Sequence, residues 1–249
     1  MMIAVDAGIA ALVDRNRAAR RITVMTGAGV SAASGVPTFR GADGLWRTYR
    51  PEELATPTAF ARDPVVVWEW YAWRREKVAS CSPNPAHDVL AAWSQRDGVR
   101  IVTQNVDDLH VRAGTRDLIR LHGSLWELKC FAGCAAGGRP WSDERVPIPP
   151  GIPRCPHCGG DARPAVVWFG ESLDSDDIDR AVDATWCDLF VTVGTSAVVY
   201  PAAGLVRQAH ARGAFTAEIN LEPTPASSFV DLSVIGRAEE VLRAVDDLL

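Results

Sequence analysis

The segment ITVMTGAGVSAASGVPTFRG, residues 22–41, decides the fold. Its first five residues, Ile22–Thr26, form a short β-rich apolar run that stops at a glycine. Gly27, Gly29 and Gly35 would let backbone N–H groups approach a phosphate, and the start of a helix would add a favourable dipole. The spacing is not GxGxxG, so this segment alone is as consistent with a tight strand-to-helix turn as with nucleotide binding.

Three further runs of the same kind follow in the chain, at Val99–Thr103, at Leu189–Val193 and at residues 215–221. Helix-length sequence separates each run from the next, and helical periodicity also marks residues 239–249 at the end of the chain. Short apolar strands that alternate with helices are typical of a parallel sheet covered on both faces. The pattern predicts an α/β fold with a Rossmann-like, doubly wound parallel sheet.

Two regions break this alternation. Residues 42–79 are rich in Trp and Pro and are predicted to be helical, whereas residues 128–164 are rich in Gly, Pro and Cys with little periodicity. We interpret these two regions as a smaller module, part helical and part zinc-binding, that is inserted into the α/β domain. The Rossmann-like domain would then consist of residues 1–41, 80–127 and 165–249.

The strongest chemical signal is a cluster of four cysteines, Cys130, Cys134, Cys155 and Cys158. Their spacings are C-x3-C and C-x2-C with twenty residues between the pairs, which is within the range of a zinc ribbon. Four free thiols on a glycine-rich loop would be an unusual arrangement. Four thiolates fill the coordination shell of zinc, so the sequence predicts a structural metal that orders this region.

The overall composition limits the classes of function. The chain has 249 residues, 47% of them hydrophobic, and a net charge of −5, so it carries no general positive field for binding nucleic acid. Its first residues lack the charge pattern of a secretory signal, and no apolar run reaches membrane-spanning length. We therefore expect a cytoplasmic protein without nucleic-acid or membrane partners.

Polar residues follow several of the predicted strands, at the edge where open α/β sheets bind ligands. Alone, each such residue is as readily explained by turn formation as by ligand binding. They are Gln104, Asn105 and Asp107 in TQNVDDLH, Gly194, Thr195 and Ser196 in GTS, and Asn220, Leu221 and Glu222 in INLE. A lone histidine is more often structural, but His122 in LHGS lies directly before the cysteine region. Histidine is the side chain best suited to proton transfer near neutral pH.

This ordered set of motifs, together with the two cysteine pairs and VVWFGE, resembles the sirtuins, which are NAD-dependent protein lysine deacylases. The resemblance extends from about residue 22 to residue 238. It implies a Rossmann-like domain and a smaller zinc-and-helix domain, with NAD and an acyl-lysine peptide meeting in the cleft between them. One departure is that many members space the first cysteine pair by two residues, whereas three intervene here, which makes the path of that loop harder to infer.

The resemblance also implies roles for individual residues. His122 would be the general base that acts on a ribose hydroxyl, while Asn105 and Asp107 would orient the ribose, the nicotinamide and water. The residues expected to contact NAD are Gly27, Ala28, Gly29, Phe39, Arg40, Trp46, Gln104, Asn105, Asp107, Gly194, Thr195, Ser196, Asn220, Leu221, Glu222 and Ala238.

For the substrate, the resemblance implies that the segment VWFGE is a strand that pairs with the acyl-lysine peptide by β-augmentation. The residues expected to contribute are Val167, Phe169, Gly170 and Glu171.

Tyr71 and Arg74 lie at i and i+3 of a predicted helix, so both are on one face. By themselves they could be a core aromatic and a solvated arginine. The Y-x-x-R pattern resembles the sirtuin subgroup that removes acidic acyl groups. Arg74, without a protein partner, would pair with the distal carboxylate, and Tyr71 would donate a further hydrogen bond. Ala55 would leave room for the acyl chain.

The resemblance thus implies NAD-dependent removal of succinyl, malonyl and also acetyl groups from protein lysines, which yields nicotinamide and O-acyl-ADP-ribose. Two alternatives remain open from the residues. The first is an ADP-ribosyltransferase that uses the same NAD site, and the second is a non-catalytic module that binds NAD or acyl-lysine. The presence of His122 together with Asn105 and Asp107 argues against binding alone.

Overall fold

The computed structural model describes residues 7–37, 51–136 and 138–249, which form two sheets and the helices that cover them. The strands are β1 (Ile22–Thr26), β2 (Val99–Thr103), β3 (Ile119–Arg120), β4 (Gly123–Cys130), β5 (Trp141–Ser142), β6 (Ala162–Val166), β7 (Leu189–Val193), β8 (Phe215–Asn220) and β9 (Leu232–Ile235). The α-helices are α1 (Ala7–Ala18), α2 (Pro51–Leu54), α3 (Pro57–Arg62), α4 (Pro64–Ala79), α5 (Pro85–Ser94), α6 (Leu109–Arg112), α7 (Ser175–Ala184), α8 (Ala202–Ala211) and α9 (Ala238–Asp246). Two 3-10 helices, Ala28–Ser34 and Pro225–Ser228, lie between them.

The larger sheet has the strand order β3-β2-β1-β7-β8-β9, and all of its pairings are parallel. Counted along the chain, this is the 3-2-1-4-5-6 order of a Rossmann-like sheet. The order reverses between β1 and β7, and ligands of open α/β sheets bind in the crevice at that point. The fold prediction is confirmed, and three of the four predicted strands have the expected bounds, while the fourth ends at Asn220.

Helices cover both faces of this sheet. Successive side chains of a strand point to opposite faces, so Val24 packs in one apolar cluster with residues of α1, α5 and α9. Its neighbour Met25 packs in a second cluster with residues of α7 and α8. This double cover explains why the strands are apolar at nearly every position rather than at alternate ones.

The smaller module combines helices α2 to α4 with an antiparallel sheet of order β5-β4-β6. Apolar residues of α3, α4, β4 and β6 share one buried cluster. A buried ion pair at 2.9 Å between Arg75 of α4 and Asp143 after β5 ties the helical part to the cysteine region. The helical prediction for residues 42–79 holds over 51–79, and residues 42–50 lie outside the described part. The proposed domain boundaries stay a prediction, and β4 and β6 each run across one of them.

Among the described helices, none combines the length and the apolar character that crossing a lipid bilayer requires.

Candidate active site and zinc centre

Two glycine-containing loops, one after β1 and one after β7, contact each other directly at the crevice between these strands. The N–H of Gly27 donates to the carbonyl of Val193 at 3.0 Å, and the N–H of Gly29 donates to the carbonyl of Gly194 at 2.8 Å. A Cβ at Gly194 would lie 2.5 Å from the backbone nitrogen of Val30, and the φ of Gly194 is +58°. Only glycine fits there, because both the space and the backbone angle exclude a side chain.

These contacts correct the role expected for the glycines. The N–H groups of Gly27 and Gly29 are not free to approach a phosphate, because strand β7 and its loop already accept them. The N–H of Gly35 bonds to the carbonyl of Ala32, and its φ of +87° ends the 3-10 helix. The segment after β1 is also this short 3-10 helix rather than the start of an α-helix. The three glycines therefore shape the crevice instead of binding through their own N–H groups.

Side chains join the four central strand ends. Gln104 donates through Nε2 to Oγ1 of Thr195 at 3.0 Å, and Asn220 donates through Nδ2 to the carbonyl of Thr195 at 3.1 Å. Asn105 donates through Nδ2 to the carbonyl of Gly27 at 3.0 Å. The polar residues that the sequence places after β1, β2, β7 and β8 thus meet at one edge.

The remaining residues expected to contact NAD differ in how deeply they are buried at this edge. Ser196 is half-buried, Leu221 and Glu222 are exposed beyond β8, and Ala238 is buried at the first position of α9. Phe39, Arg40 and Trp46 lie outside the described residues. Contact of all these residues with NAD stays a prediction.

His122 lies directly before β4 and is fixed by one hydrogen bond. Its Nδ1 is 2.9 Å from the carbonyl oxygen of Gln104. A carbonyl only accepts, so Nδ1 carries the proton and Nε2 has a free lone pair. Burial lowers the pKa of His122, although the hydrogen bond to Gln104 acts in the opposite direction. His122 is therefore a neutral imidazole at neutral pH, in the tautomer that a general base at Nε2 requires.

Asp107 is buried and belongs to a hydrogen-bonded group. Its Oδ2 accepts from Oγ of Ser31 at 2.8 Å, and its Oδ1 accepts from the N–H of Leu109 at 3.0 Å. Burial raises the pKa of Asp107, while these two hydrogen bonds lower it. Ser31 also accepts from Nδ2 of Asn105 at 3.2 Å, so one hydroxyl holds both side chains in place.

Beneath this group lie two buried histidines that the sequence analysis missed. Nε2 of His87 is 3.3 Å from the Ser31 hydroxyl, and the ring of His110 meets that of His87 edge-on at 4.9 Å. Nε2 of His110 is 2.9 Å from Oγ1 of Thr26. Burial lowers the pKa of His87 to about 4 and that of His110 to about 3. Ser31 lies in the glycine-rich segment and His110 in TQNVDDLH, but nothing local in the sequence shows that both side chains contact His87.

A pocket opens beside Asp107. The described residues that line it are Ala28, Val36, Pro37, Trp70, Arg74, Lys77, Val78, Asn105, Val106, Asp107 and Leu125. The pocket thus joins residues predicted to bind the cofactor with Arg74, which is predicted to bind the acyl group. Among the described residues, those that line the pocket do not include Tyr71 or Ala55. Both of these residues are buried in the small-module cluster.

Arg74 is neither solvated nor without partners. It is 9% exposed, and its guanidinium lies over the rings of Trp70 and Tyr71, at 4.8 and 5.4 Å from their centres. Burial lowers the pKa of Arg74, while Tyr71 and Asp107 raise it. The expectation of an unpartnered arginine is therefore wrong, as is the ordinary interpretation of a solvated one. A guanidinium carries five N–H donors in a planar fork, which is the geometry that matches a carboxylate.

The segment VWFGE is not a strand, because β6 ends at Val166. The N–H of Val167 donates to the carbonyl of His122, and the N–H of Phe169 donates to the carbonyl of Ala55. Gly170 then turns the chain with a φ of +85°. Two of the N–H groups that a strand would offer a peptide are thus used within the chain, and pairing of this segment with a peptide stays a prediction.

The four cysteines converge in space. Their sulfur atoms all lie within 4.8 Å of one another. Sγ of Cys130 is 3.6 Å from that of Cys158, and Sγ of Cys134 is 3.8 Å from that of Cys155. Tetrahedral zinc with Zn–S bonds of about 2.3 Å places its sulfurs about 3.8 Å apart. The cluster fits a structural zinc ion, as predicted, and the three-residue spacing of the first pair does not prevent it.

Comparison with known proteins agrees with this geometry. A family model described as the Sir2 family matches residues 27–201, which is well over half of the chain. The chain belongs to the Sir2 family, the sirtuins. NAD-dependent protein deacylase 1 of Pseudomonas aeruginosa is 50% identical to it over 239 residues, which cover 93% of this chain and 95% of that protein. NAD-dependent protein deacylase 1 of Archaeoglobus fulgidus is 49% identical over 223 residues, which cover 89% of each chain.

The fold of this sirtuin also matches that of solved family members. A Sir2 homologue in complex with NAD is 46% identical and superposes with a TM-score of 0.89, over 96% of this chain and 93% of that chain. Sirtuins use NAD, and the crevice at the reversal of strand order in this chain is where a Rossmann-like sheet binds a dinucleotide. The residues present therefore fit the cofactor.

Proposed function

We infer that this sirtuin is an NAD-dependent protein deacylase, and we propose that it removes succinyl and malonyl groups from protein lysines in preference to acetyl groups. The general activity is supported by the names of its relatives and by a neutral His122 beside the crevice. The preference for acidic acyl groups is carried by one observation, namely the buried guanidinium of Arg74 in the wall of the pocket that also contains Asp107.

NAD would lie across the crevice between β1 and β7. Gln104, Asn105 and Asp107 would hold the nicotinamide ribose, and the residues after β7 and β8 would hold the adenosine half. NAD, when bound, supplies the activated ribose carbon from which nicotinamide leaves and the ribose that takes up the acyl group. Asn105 and Asp107 are held in fixed orientations by Ser31, so little ordering is needed on binding.

His122 would move the proton. Its Nδ1–H is anchored on the carbonyl of Gln104, which aims the lone pair of Nε2 in one direction. From there Nε2 would accept the proton of a ribose hydroxyl, and the ribose oxygen would take up the acyl group as the bond between the acyl carbon and the lysine nitrogen breaks and the lysine leaves. Only the neutral ring can do this, and burial keeps His122 neutral at physiological pH.

Arg74 would select the acyl group. A carboxylate at the far end of a succinyl or malonyl chain can accept charge-assisted hydrogen bonds from the guanidinium, which contribute about 1.5–3 kcal/mol. That corresponds to a preference of roughly ten- to more than a hundredfold in kcat/KM. An acetyl group offers no such acceptor. Tyr71, one helical turn away, would donate a second hydrogen bond to the same carboxylate.

The test compares kcat/KM for succinyl- and acetyl-lysine peptides of one sequence, with and without NAD. Arg74→Met should lose most of the preference for the succinyl peptide, and Tyr71→Phe should lose less. Arg62→Met serves as the matched control, because Arg62 is an exposed arginine on the neighbouring helix α3. Equal loss for both peptides in Arg74→Met would show that Arg74 supports the fold instead. Deacylation without NAD would contradict the activity itself.

Release of nicotinamide separates this proposal from its alternatives. A deacylase should release nicotinamide only when acyl-lysine is present, whereas an ADP-ribosyltransferase should transfer ADP-ribose to a protein acceptor without deacylating it, and a binding module should release none. His122 in its neutral tautomer favours the deacylase, because a proton acceptor beside the ribose is needed for acyl transfer. A cytoplasmic location, and the absence of nucleic-acid and membrane partners, stay predictions from the sequence.

A further inference from the structure

The hydroxyl of Tyr71 is held by a tryptophan from the segment after β6. Nε1 of Trp168 donates to the Tyr71 oxygen at 2.8 Å, and both side chains are only 1% exposed. Trp168 comes from VWFGE, whose other residues were expected to contact the peptide. Its own side chain points into the small-module cluster, toward α4.

This contact determines what the Tyr71 hydroxyl can do. A phenol has one O–H to donate and lone pairs to accept with, whereas an indole N–H and a guanidinium can only donate. Tyr71 accepts from Trp168, and its neighbour Arg74, whose guanidinium lies 5.4 Å from the centre of the Tyr71 ring, has no lone pair that could accept the phenol proton. Within the described residues, no acceptor takes the proton of Tyr71. Burial raises the pKa of Tyr71, so the phenol keeps that proton at physiological pH.

We propose that Trp168 is a positioning residue for acyl selectivity: by occupying a lone pair of Tyr71, it leaves the phenol proton directed toward an acceptor bound at Arg74. The inference rests on the proposed preference for acidic acyl groups. A carboxylate at Arg74 is then met by a guanidinium and by an O–H that is already oriented. A neutral acyl group gains nothing from that orientation, so Trp168 affects the ratio between the two substrates.

Trp168 is itself fixed by a clamp. The guanidinium of Arg163 lies over its ring at 3.2 Å, and the carboxylate of Glu171 accepts from both Arg163 and the backbone N–H of Trp168. The ring of Phe60 also packs against that of Trp168, with the two ring centres 5.4 Å apart. The carboxylate of Glu171 thus holds Trp168 in place, while contact of Glu171 with the substrate stays a prediction.

The experiment is a double-mutant cycle on the ratio of kcat/KM for succinyl- over acetyl-lysine peptide. Trp168→Phe keeps an aromatic ring for Arg163 and removes the N–H. This change should lower the ratio about three- to tenfold, which is the effect expected for one hydrogen bond. In a Tyr71→Phe background the same change should alter the ratio less than about twofold, because no hydroxyl remains to be oriented.

Trp68→Phe is the matched control. Trp68 is a buried tryptophan of the same cluster, and its Nε1 donates to the carbonyl of Ala162 rather than to Tyr71. Loss of that hydrogen bond should leave the ratio within about twofold of the unaltered protein. A fall in the ratio as large as that of Trp168→Phe would attribute the effect to loosening of the cluster and overturn the inference.

A direct measurement keeps the inference testable even where Trp168→Phe folds poorly. In Tyr71→Phe, the indole N–H resonance of Trp168 should shift strongly, since its acceptor is gone, and that of Trp68 should not. An unshifted Trp168 resonance would refute the inference, as would an unchanged ratio in folded Trp168→Phe. If the unaltered protein shows no preference for the succinyl peptide, the proposed function itself is wrong. If the unaltered protein shows the preference and Trp168→Phe retains it in full, only the inference about Trp168 is wrong.

Discussion

Lowering the pH from 7 to 5 should destabilise the fold because two histidines are buried in the neutral form. His87 and His110 are at most 1% exposed, and burial lowers their pKa values to about 4 and about 3. In the unfolded chain both return to an ordinary pKa of about 6.5. Their contribution to stability is therefore fully present above pH 6.5 and is lost as the pH falls, since protons bind the unfolded chain first.

The size of the effect follows from the two pKa values. At pH 5 the unfolded chain has taken up nearly one proton on each ring, whereas the folded protein has taken up almost none. Each histidine then loses about 2 kcal/mol relative to pH 7, or on the order of 3–4 kcal/mol for the pair. This is a large part of the total stability of a typical domain, which is about 5–15 kcal/mol.

The assay is urea unfolding of the zinc-loaded protein at pH 7 and pH 5, compared across variants. Zinc binding also weakens as thiols protonate, but that contribution is common to all variants and cancels in the comparison. His110→Asn should reduce the difference in unfolding free energy between the two pH values by about 2 kcal/mol, which is the contribution of one histidine. A folded His110→Asn protein with the full difference would refute the reasoning, as would protonation of His87 and His110 near pH 6.5 in an NMR titration.

Four further predictions concern the site, and the last of them concerns Gly194. His122→Ala should lower kcat for deacylation about a hundredfold to ten-thousandfold while NAD still binds, as measured by calorimetry, because only proton transfer is removed; near-normal turnover in the folded variant would make His122 structural. The acid limb of kcat/KM in the unaltered protein should lie below pH about 6.5, since burial lowers the pKa of His122; a limb above that value would point to another group. Zinc chelation should release one metal per chain and lower the melting temperature, and metal analysis that finds active protein without zinc would contradict the cysteine centre.

Gly194→Ala should raise KM for NAD and lower stability, because a Cβ there meets the backbone nitrogen of Val30 at 2.5 Å and the φ is +58°. Gly213→Ala is the matched control, because its φ is also positive, at +86°, but nothing lies within 4 Å of the added Cβ. Both variants carry the cost of the backbone angle, so the difference between them measures the clash at the crevice. Equal effects on KM for NAD would show that the close approach of the two loops does not matter for the cofactor.

Much of the fold could be predicted because it depends on local pattern. β1, β2 and β7 have the predicted bounds, since an apolar run ended by a polar residue or a glycine is visible within a few positions. The four cysteines could be identified as a metal centre from their spacing alone, because structural zinc takes four ligands and two closely spaced cysteine pairs supply all of them. The strand VWFGE was wrongly predicted for a related reason. Its apolar character is real, but its N–H groups are used by His122 and Ala55, which lie far away in the sequence.

The sequence by itself determined the α/β class, the zinc ligands and the kinds of residue at the strand ends. Tertiary structure alone decided how those residues are used. Arg74 has the same sequence neighbours whether it is solvated or buried, and only the packing of α4 into the small module buries its charge. The bonds from Ser31 to Asp107 and from Trp168 to Tyr71 each join residues more than seventy positions apart. Hydrogen bonds act over about 3 Å, so which distant groups come that close is decided by how the helices and sheets pack.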